Sequence, residues 1–595
     1  MMTLDRRARA GTDRRTRRSA FRLAAVLALA SAAFLPAGGA LAGRTGDAVS
    51  FPPGESTAGN FLAGFHADRA KDFDAASLYF TRALLTDPED TYLLERAFTL
   101  TLADGEIKGA FGLSRRLLAI DPDNRLANLA SGVDLLERGS YTKAIDAFGK
   151  SHSEPLTELI AGILQAWAEY GAGRTDKALD RLDAMNGPQW FELFRSYHAG
   201  LIADASGRSD EAIERLRVAH GFDEGSIRIT EAYVRALSRA GRFDEANAVV
   251  DELLARVPDH GVLNRLKTNL VAKTKMKPLA TDARHGAAEL LSGVANAISR
   301  DDGSELVAGL LQLALHLDPK TDIARITLAE IFERSKNYER AIEMLGLVDE
   351  KSGFKRAAEI QIGFDYNALD KVEEARKHLE GVIRANPKDL DALTALGNIL
   401  RVRKMFEPAA DAYTQAIEAL GTPAPQHWQL YYNRGIAYER TKRWPQAEAD
   451  FKTALKLSPD QPLVLNYLGY SWVDRGENFD EALGMIEKAV EAEPSDGYIV
   501  DSLGWVFYKL GRYEEAVAQL ERAVELRPAD PTINDHLGDA YWRVGRTIEA
   551  RFQWAHARDT DPEPEELPKI LKKLQEGLPP LTSKQASEGT KPSGG

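Results

Sequence analysis

Residues 503–528 read LGWVFYKLGRYEEAVAQLERAVELRP, and residues 537–562 read LGDAYWRVGRTIEARFQWAHARDTDP. Laid over one another 34 positions apart, the two stretches share Leu503 with Leu537, Gly504 with Gly538, and an aromatic at Phe507 and Tyr541. They also share Gly511 with Gly545, Ala516 with Ala550, Ala523 with Ala557 and Pro528 with Pro562. Working outward, the alanine recurs at Ala76, Ala110, Ala144, Ala178, Ala212 and Ala246, and again at Ala341, Ala375 and Ala409. It then slips by four residues and by one, to Ala447 and Ala482, before returning to period at Ala516 and Ala550. A fixed period of this length is the signature of a helical solenoid.

Each repeated position has a physical role. Gly504 and Gly538 leave room for a neighbouring helix, and the alanine is the small residue at the tightest contact between the two helices of a unit. Gly105, Gly139, Gly173, Gly207 and Gly241 fall where a first helix must stop, because glycine accepts the left-handed conformation of a helix C-terminus. Pro88, Pro122, Pro258, Pro319, Pro387, Pro459, Pro494, Pro528 and Pro562 end the second helix before the next unit. This pattern resembles the tetratricopeptide repeat. The resemblance implies an all-α, right-handed superhelix of helical hairpins.

Counting from these anchors gives about fourteen units, several of them degenerate. Six occupy an N-terminal array over 57–260, four a middle array over 288–423, and four a C-terminal array within 424–564. Val307 stands for the alanine in one unit, and Phe98 and Val234 for the glycine in two. Residues 565–576 are expected to cap the last unit as a short helix, and 577–595, rich in Gly, Pro, Ser and Lys, read as a disordered tail.

The N-terminus is a separate object. Eight arginines lie within residues 1–22, followed by a run from Leu23 to Leu35 that is apolar apart from Ser31, and the small-residue stretch Ala40-Leu41-Ala42. This is the pattern of a secretory signal peptide over 1–42, with a short linker over 43–56. The apolar run is shorter than the ~20 residues of a membrane-spanning helix. The chain has no cysteine, so neither a disulfide framework nor a lipid-carrying thiol is available. The expected location is the bacterial periplasm, as a soluble protein that is not a lipoprotein. Without residues 1–42 the chain has 68 basic and 87 acidic residues, a net charge of −19. Nucleic acid is therefore an unsuitable partner, since binding it needs a surplus of cations.

Residues 261–287 interrupt the period with an excess of positive charge: Arg265, Lys267, Lys273, Lys275, Lys277 and Arg284 against Asp282. An extra helix or linker, a docking element and a hinge are all compatible with this segment. The eleven histidines are scattered, with none in H-E-x-x-H and no pair at metal-ligand spacing, so no metal or other cofactor is expected. No G-x-S-x-G elbow and no phosphate loop is present, and catalysis is not expected.

The remaining candidate is the groove lined by first helices. In the last four units the side chains between motif positions are Tyr432, Asn433, Asn466, Tyr470, Tyr498, Asp501, Ser502, Trp505, Tyr508, Asp535, His536, Asp539, Trp542 and Arg543. Rigid aromatics give contact area at low entropic cost, and Asn, Asp and Arg can pair with a peptide. The same aromatics also suit a purely structural role between repeats. The run DSLGWVFYKLGRYEEAVAQLERA with NDHLGDAYWRVGR resembles the C-terminal repeats of exported bacterial repeat proteins. Among these is a periplasmic adaptor that partners a C-terminal processing protease and delivers cell-wall hydrolases to it. That resemblance implies a non-catalytic scaffold or adaptor with a protein or peptide partner, in envelope biogenesis or proteolysis. A component of polysaccharide or pilus export, and a glycan-binding protein using the aromatic strip, are the alternatives.

Overall fold

The computed structural model describes residues 54, 56–152, 154–258, 260–299 and 305–580. The expected signal peptide, most of the linker after it and the tail beyond residue 580 lie outside the described residues. Thirty α-helices run from α1 (Thr57–Arg69) to α30 (Leu567–Glu576) among the described residues, with no strand. The fold is an all-α solenoid of helical hairpins.

The local chemistry of each hairpin follows the repeat. All thirteen motif alanines, from Ala76 to Ala550, are fully buried. At the motif glycines a side chain has no room: a Cβ on Gly504 would lie 2.6 Å from Leu520, and on Gly538 2.5 Å from Trp554. The residue after each first helix must adopt a left-handed backbone. Gly105, Gly139, Gly173, Gly207, Gly241, Gly511 and Gly545 do so with φ between 71° and 96°, and where glycine is missing Lys71, Lys336, Asp370, Lys404 and Lys442 take φ near 60°. The conformation is thus set by position, and a non-glycine residue there carries a cost of about 1–2 kcal/mol.

The chain divides into two compact units, Met1–His378 and Leu379–Gly595, and the division falls inside α19 (Val372–Ala385). The expected breaks at 261–287 and near 424 both lie within a unit. The basic segment enters the first unit as α13 (Gly261–Val271), which packs on α11 (Ile227–Arg239) and α12 (Phe243–Arg256). Lys273 at φ 50° closes α13 with the same left-handed turn as a regular first helix. The four-residue slip after Ala409 is absorbed by a 3-10 turn at Pro425–His427, which leads directly into the next hairpin.

The first unit holds a feature that the repeat count does not suggest. Helices α14 (Ala283–Ile298) and α15 (Glu305–Leu317) turn inward against the first helices of the preceding hairpins. Helix α14 lies on α7 (Pro155–Gly171) and α9 (Phe191–Ala205), and α15 lies on α3 (Thr91–Asp104) and α5 (Arg125–Glu137). Both inward helices are apolar on nearly every side, the mark of a helix that is buried all round. Leu290, Leu291, Val294, Val307, Leu310, Leu311 and Leu313 are at most 1% exposed. Gly286 lets α14 meet the ring of Trp167, where a Cβ would come within 2.1 Å. Polar anchors complete the seat: Tyr197 donates to Glu289 at 2.8 Å, Arg228 donates to the same carboxylate at 2.6 Å, and Arg96 donates to Glu305 at 2.8 Å. Burial opposes ionisation of Glu289, but Arg228 outweighs it and holds its pKa below the usual value.

At two carboxyls in this unit burial wins instead. Glu333 on α16 (Asp322–Arg334) and Asp365 on α18 (Lys355–Ala368) are pushed up to about 8 and about 7, in each case first by burial. For Glu333 the neighbouring Asp365 carboxyl adds to the rise. Both folded-state values lie above those of the unfolded chain, so the folded form binds the extra protons. The resulting stability is present below about pH 4 and is lost as pH rises through 7 to 8. Glu333→Gln with Asp365→Asn is expected to flatten that decline, raising stability at pH 8 by on the order of 2 kcal/mol relative to its value at pH 5. Urea unfolding at the two pH values measures it.

Candidate interaction site in the C-terminal unit

In the second unit the first helices of successive hairpins are α20 (Leu390–Val402), α22 (Trp428–Arg440), α24 (Pro462–Arg475), α26 (Gly497–Lys509) and α28 (Pro531–Arg543). All fourteen candidate residues stand on the last four of these. Most of them touch the neighbouring hairpin, because side chains about 35 residues apart face each other across successive first helices. Asn433 donates to Asn398 at 3.3 Å, and Arg543 meets the Tyr508 hydroxyl at 3.4 Å. His536 pairs with Asp501 at 3.0 Å, with both side chains 8% exposed. Burial works against the charged imidazole, yet the Asp501 carboxylate outweighs it and holds His536 above its usual pKa.

Trp505 covers that pair. Its ring stacks on His536 with centroids 4.0 Å apart and on Tyr508 with centroids 4.8 Å apart, at 15° and 6° between planes. Both faces of the indole are therefore occupied, and the three aromatics act as a bracket between hairpins. Tyr432 is enclosed by Trp428, Phe451 and Tyr467, and burial pushes its hydroxyl up to about 12. Tyr470 has its hydroxyl pKa raised, first by burial and then by Asp501, Asp474, Glu566 and Glu439. Tyr498 is the most open of the set, at 38% exposed, with the Arg527 guanidinium 4.2 Å over its ring.

Five buried polar atoms on these first helices have no hydrogen-bond partner among the described residues: Asn433 Oδ1, Asn466 Oδ1, Trp505 Nε1, Asn534 Oδ1 and Asp535 Oδ1. Such atoms are costly to leave unmade and mark places where added donors or acceptors improve the structure. The His536–Asp501 pair has the spacing of a base and its orienting acid. It lies under the ring of Trp505, which stacks on His536.

Four of the last five candidates, Asp535, Asp539, Trp542 and Arg543, are covered by the chain's own C-terminal segment. Lys573 of α30 donates to Asp535 at 2.7 Å and to Asp539 at 2.8 Å, while Asp539 also accepts from Trp554. Beyond α30 the chain turns at Gly577, φ 74°, which lies so close to Trp542 that a Cβ would come within 2.1 Å. Arg543 then donates to the Pro579 carbonyl at 2.7 Å. Before α30, Glu563 meets Lys404 at 2.8 Å, at the turn after α20. The segment thus runs as a strap from the first hairpin of the unit to the last. The sequence signals a cap at 565–576; it carries no signal that Glu563 and Lys573 reach residues 159 and 34 positions away.

Comparison with known proteins places repeats in both units. Residues 504–545 match the family described as TPR repeat, and residues 205–270, 365–421 and 428–461 match families described as tetratricopeptide repeat. The chain carries tetratricopeptide repeats in these segments. It is similar to a TPR repeat-containing protein of Pseudomonas aeruginosa, 28% identical over 191 residues, 32% of each protein. The match therefore spans about a third of that relative's length. Among solved structures it is similar to yeast Tom70, at 15% identity and TM-score 0.33, covering 88% of this chain and 95% of that one. It is also similar to a tetratricopeptide repeat protein from Parabacteroides merdae, at 18% identity and TM-score 0.35, covering 42% and 97%.

Proposed function

We propose that the protein is a non-catalytic scaffold or adaptor that binds a protein or peptide partner through the first-helix face of its C-terminal unit. The observation that carries this reading is the contrast between the two inner faces. In the first unit that face is filled by α14 and α15, whose Leu290, Leu291, Leu310, Leu311 and Leu313 are fully buried and whose Glu289 and Glu305 are held by Tyr197, Arg228 and Arg96. In the second unit, among the described residues, it is crossed by the strap, in which Ile570 is the one fully buried side chain of α30. On the same helices Tyr498 is 38% exposed and the Asp474 side chain is 61% open, so part of that face is accessible to a bound chain.

The cellular context is the bacterial periplasm, with envelope biogenesis or proteolysis as the process. It rests on the arginine-rich start, the short apolar run and Ala40-Leu41-Ala42, and on the likeness to exported repeat adaptors. Sugar stacking on Trp505 is disfavoured, because both faces of its ring are already taken. A photo-crosslinking residue at Tyr498 tests the reading: a protein adduct in the source cells is expected, and its absence there and at neighbouring positions on the same face sinks it.

A further inference from the structure

Resting on that reading, the strap indicates what kind of partner the C-terminal unit accepts. Helix α30 reads LPKILKKLQE, a ten-residue amphipathic helix with basic residues at Lys569, Lys572 and Lys573. It buries one apolar side chain fully, Ile570, and leaves Leu571 39% exposed. Its most specific contact is ionic. The Lys573 ammonium sits between two carboxylates of α28 whose side chains are 15% and 7% exposed, and is itself 18% exposed. Two carboxylates so placed, with one cation between them, form a seat that selects for positive charge, since either left buried and unpaired is unfavourable. Extended backbone follows the helix, with a carbonyl on Arg543 and a glycine on the face of Trp542.

We propose that the α28 face of the C-terminal unit is a docking surface for a lysine-bearing amphipathic helix followed by extended chain, and that residues 561–580 occupy it in the free protein as a competing internal copy of that ligand. The charge complementarity is fixed by Asp535 and Asp539, and the extended part is read by Arg543 and Trp542. A partner helix long enough to bury more than one apolar side chain outcompetes α30, which is held at its N-terminal side by an ion pair exposed at both ends, Lys404 with Glu563.

The test uses the full chain and a fluorescent peptide with the sequence of residues 561–580. Titrated with full-length protein carrying Ile570→Asp and Lys573→Glu, which releases the internal copy, the peptide is expected to bind at least tenfold more tightly than it binds the wild-type chain. Adding Asp535→Asn and Asp539→Asn is expected to remove that gain, as is replacing the peptide's lysine at position 573 by glutamine. Equal affinity for the wild-type and released proteins, or binding indifferent to the two aspartates, overturns the proposal. Hydrogen exchange on the unmodified protein supplies a second readout. The α30 amides are expected to exchange faster than those of α26, and exchange of α30 only through global opening of the unit makes it a fixed cap. If the peptide competes as expected but no protein partner is found in cells, the internal docking stands and the scaffold reading fails; the reverse result separates the two the other way.

Discussion

Replacing Trp167 by alanine is expected to destabilise the first unit by about 3–5 kcal/mol, the range for removing a fully buried tryptophan. Trp167 has no exposed surface, and its ring lies where α7 meets Gly286 of α14. Its Nε1 donates to His198 Nδ1 at 3.1 Å. Burial lowers the pKa of that histidine to about 4, so the imidazole stays neutral and free to accept at neutral pH. Alanine therefore opens a cavity and strands a buried acceptor in one step. Chemical denaturation, followed by hydrogen exchange in α14, measures the effect. The α14 amides should lose protection first. A loss below about 1 kcal/mol would mean that α14 is not seated on α7.

Trp505→Ala and Trp542→Ala are expected to cost the second unit about 2–3 kcal/mol each, below the value for a fully buried indole because both rings are part exposed. Removing Trp505 takes away the stacking partner of Tyr508 and the cover of the His536–Asp501 pair. Removing Trp542 takes away a neighbour of Trp554 and the surface on which Gly577 rests. The two sites couple through the Arg543–Tyr508 contact, so the double change should differ from the sum of the singles by more than about 0.5 kcal/mol. Thermal unfolding of the two singles and the double gives this directly. Additive losses would show that the bracket and the strap are independent.

These expected costs mark where a sequence can and cannot be read. The repeat alanines and glycines are legible because one physical requirement, close approach of two helices, recurs every 34 residues and admits few side chains. The left-handed turns are legible at Gly511 and Gly545 but hidden at Lys404 and Lys442, where a lysine takes the same φ. The inward hairpin escapes the period entirely. Val307 keeps the alanine's place in the count, yet α15 faces the first helices of earlier units; the clue is the all-round apolar character of 283–298 and 305–317. At the site, spacing alone assigns Trp505, Tyr508 and His536 to the surface between motif positions. It does not reveal that they stack on one another, since that depends on the rotation between neighbouring hairpins. The aromatics of the C-terminal unit accordingly hold neighbouring hairpins together, and Tyr498, 38% exposed, is the most open of the candidates.

A protein partner docked on the first-helix face of the second unit would lie within reach of residues on that face. Site-specific photo-crosslinking in the source cells, from positions 474 and 498 on that face and from position 548 on α29 as a control, tests such docking most directly. Asp474 and Ile548 are both well exposed, with a side chain 61% open and a residue 82% open, so access alone cannot separate them. A discrete protein adduct is expected from 474 and 498 and none from 548. Equal labelling from all three positions, or adducts from 548 alone, would contradict such docking.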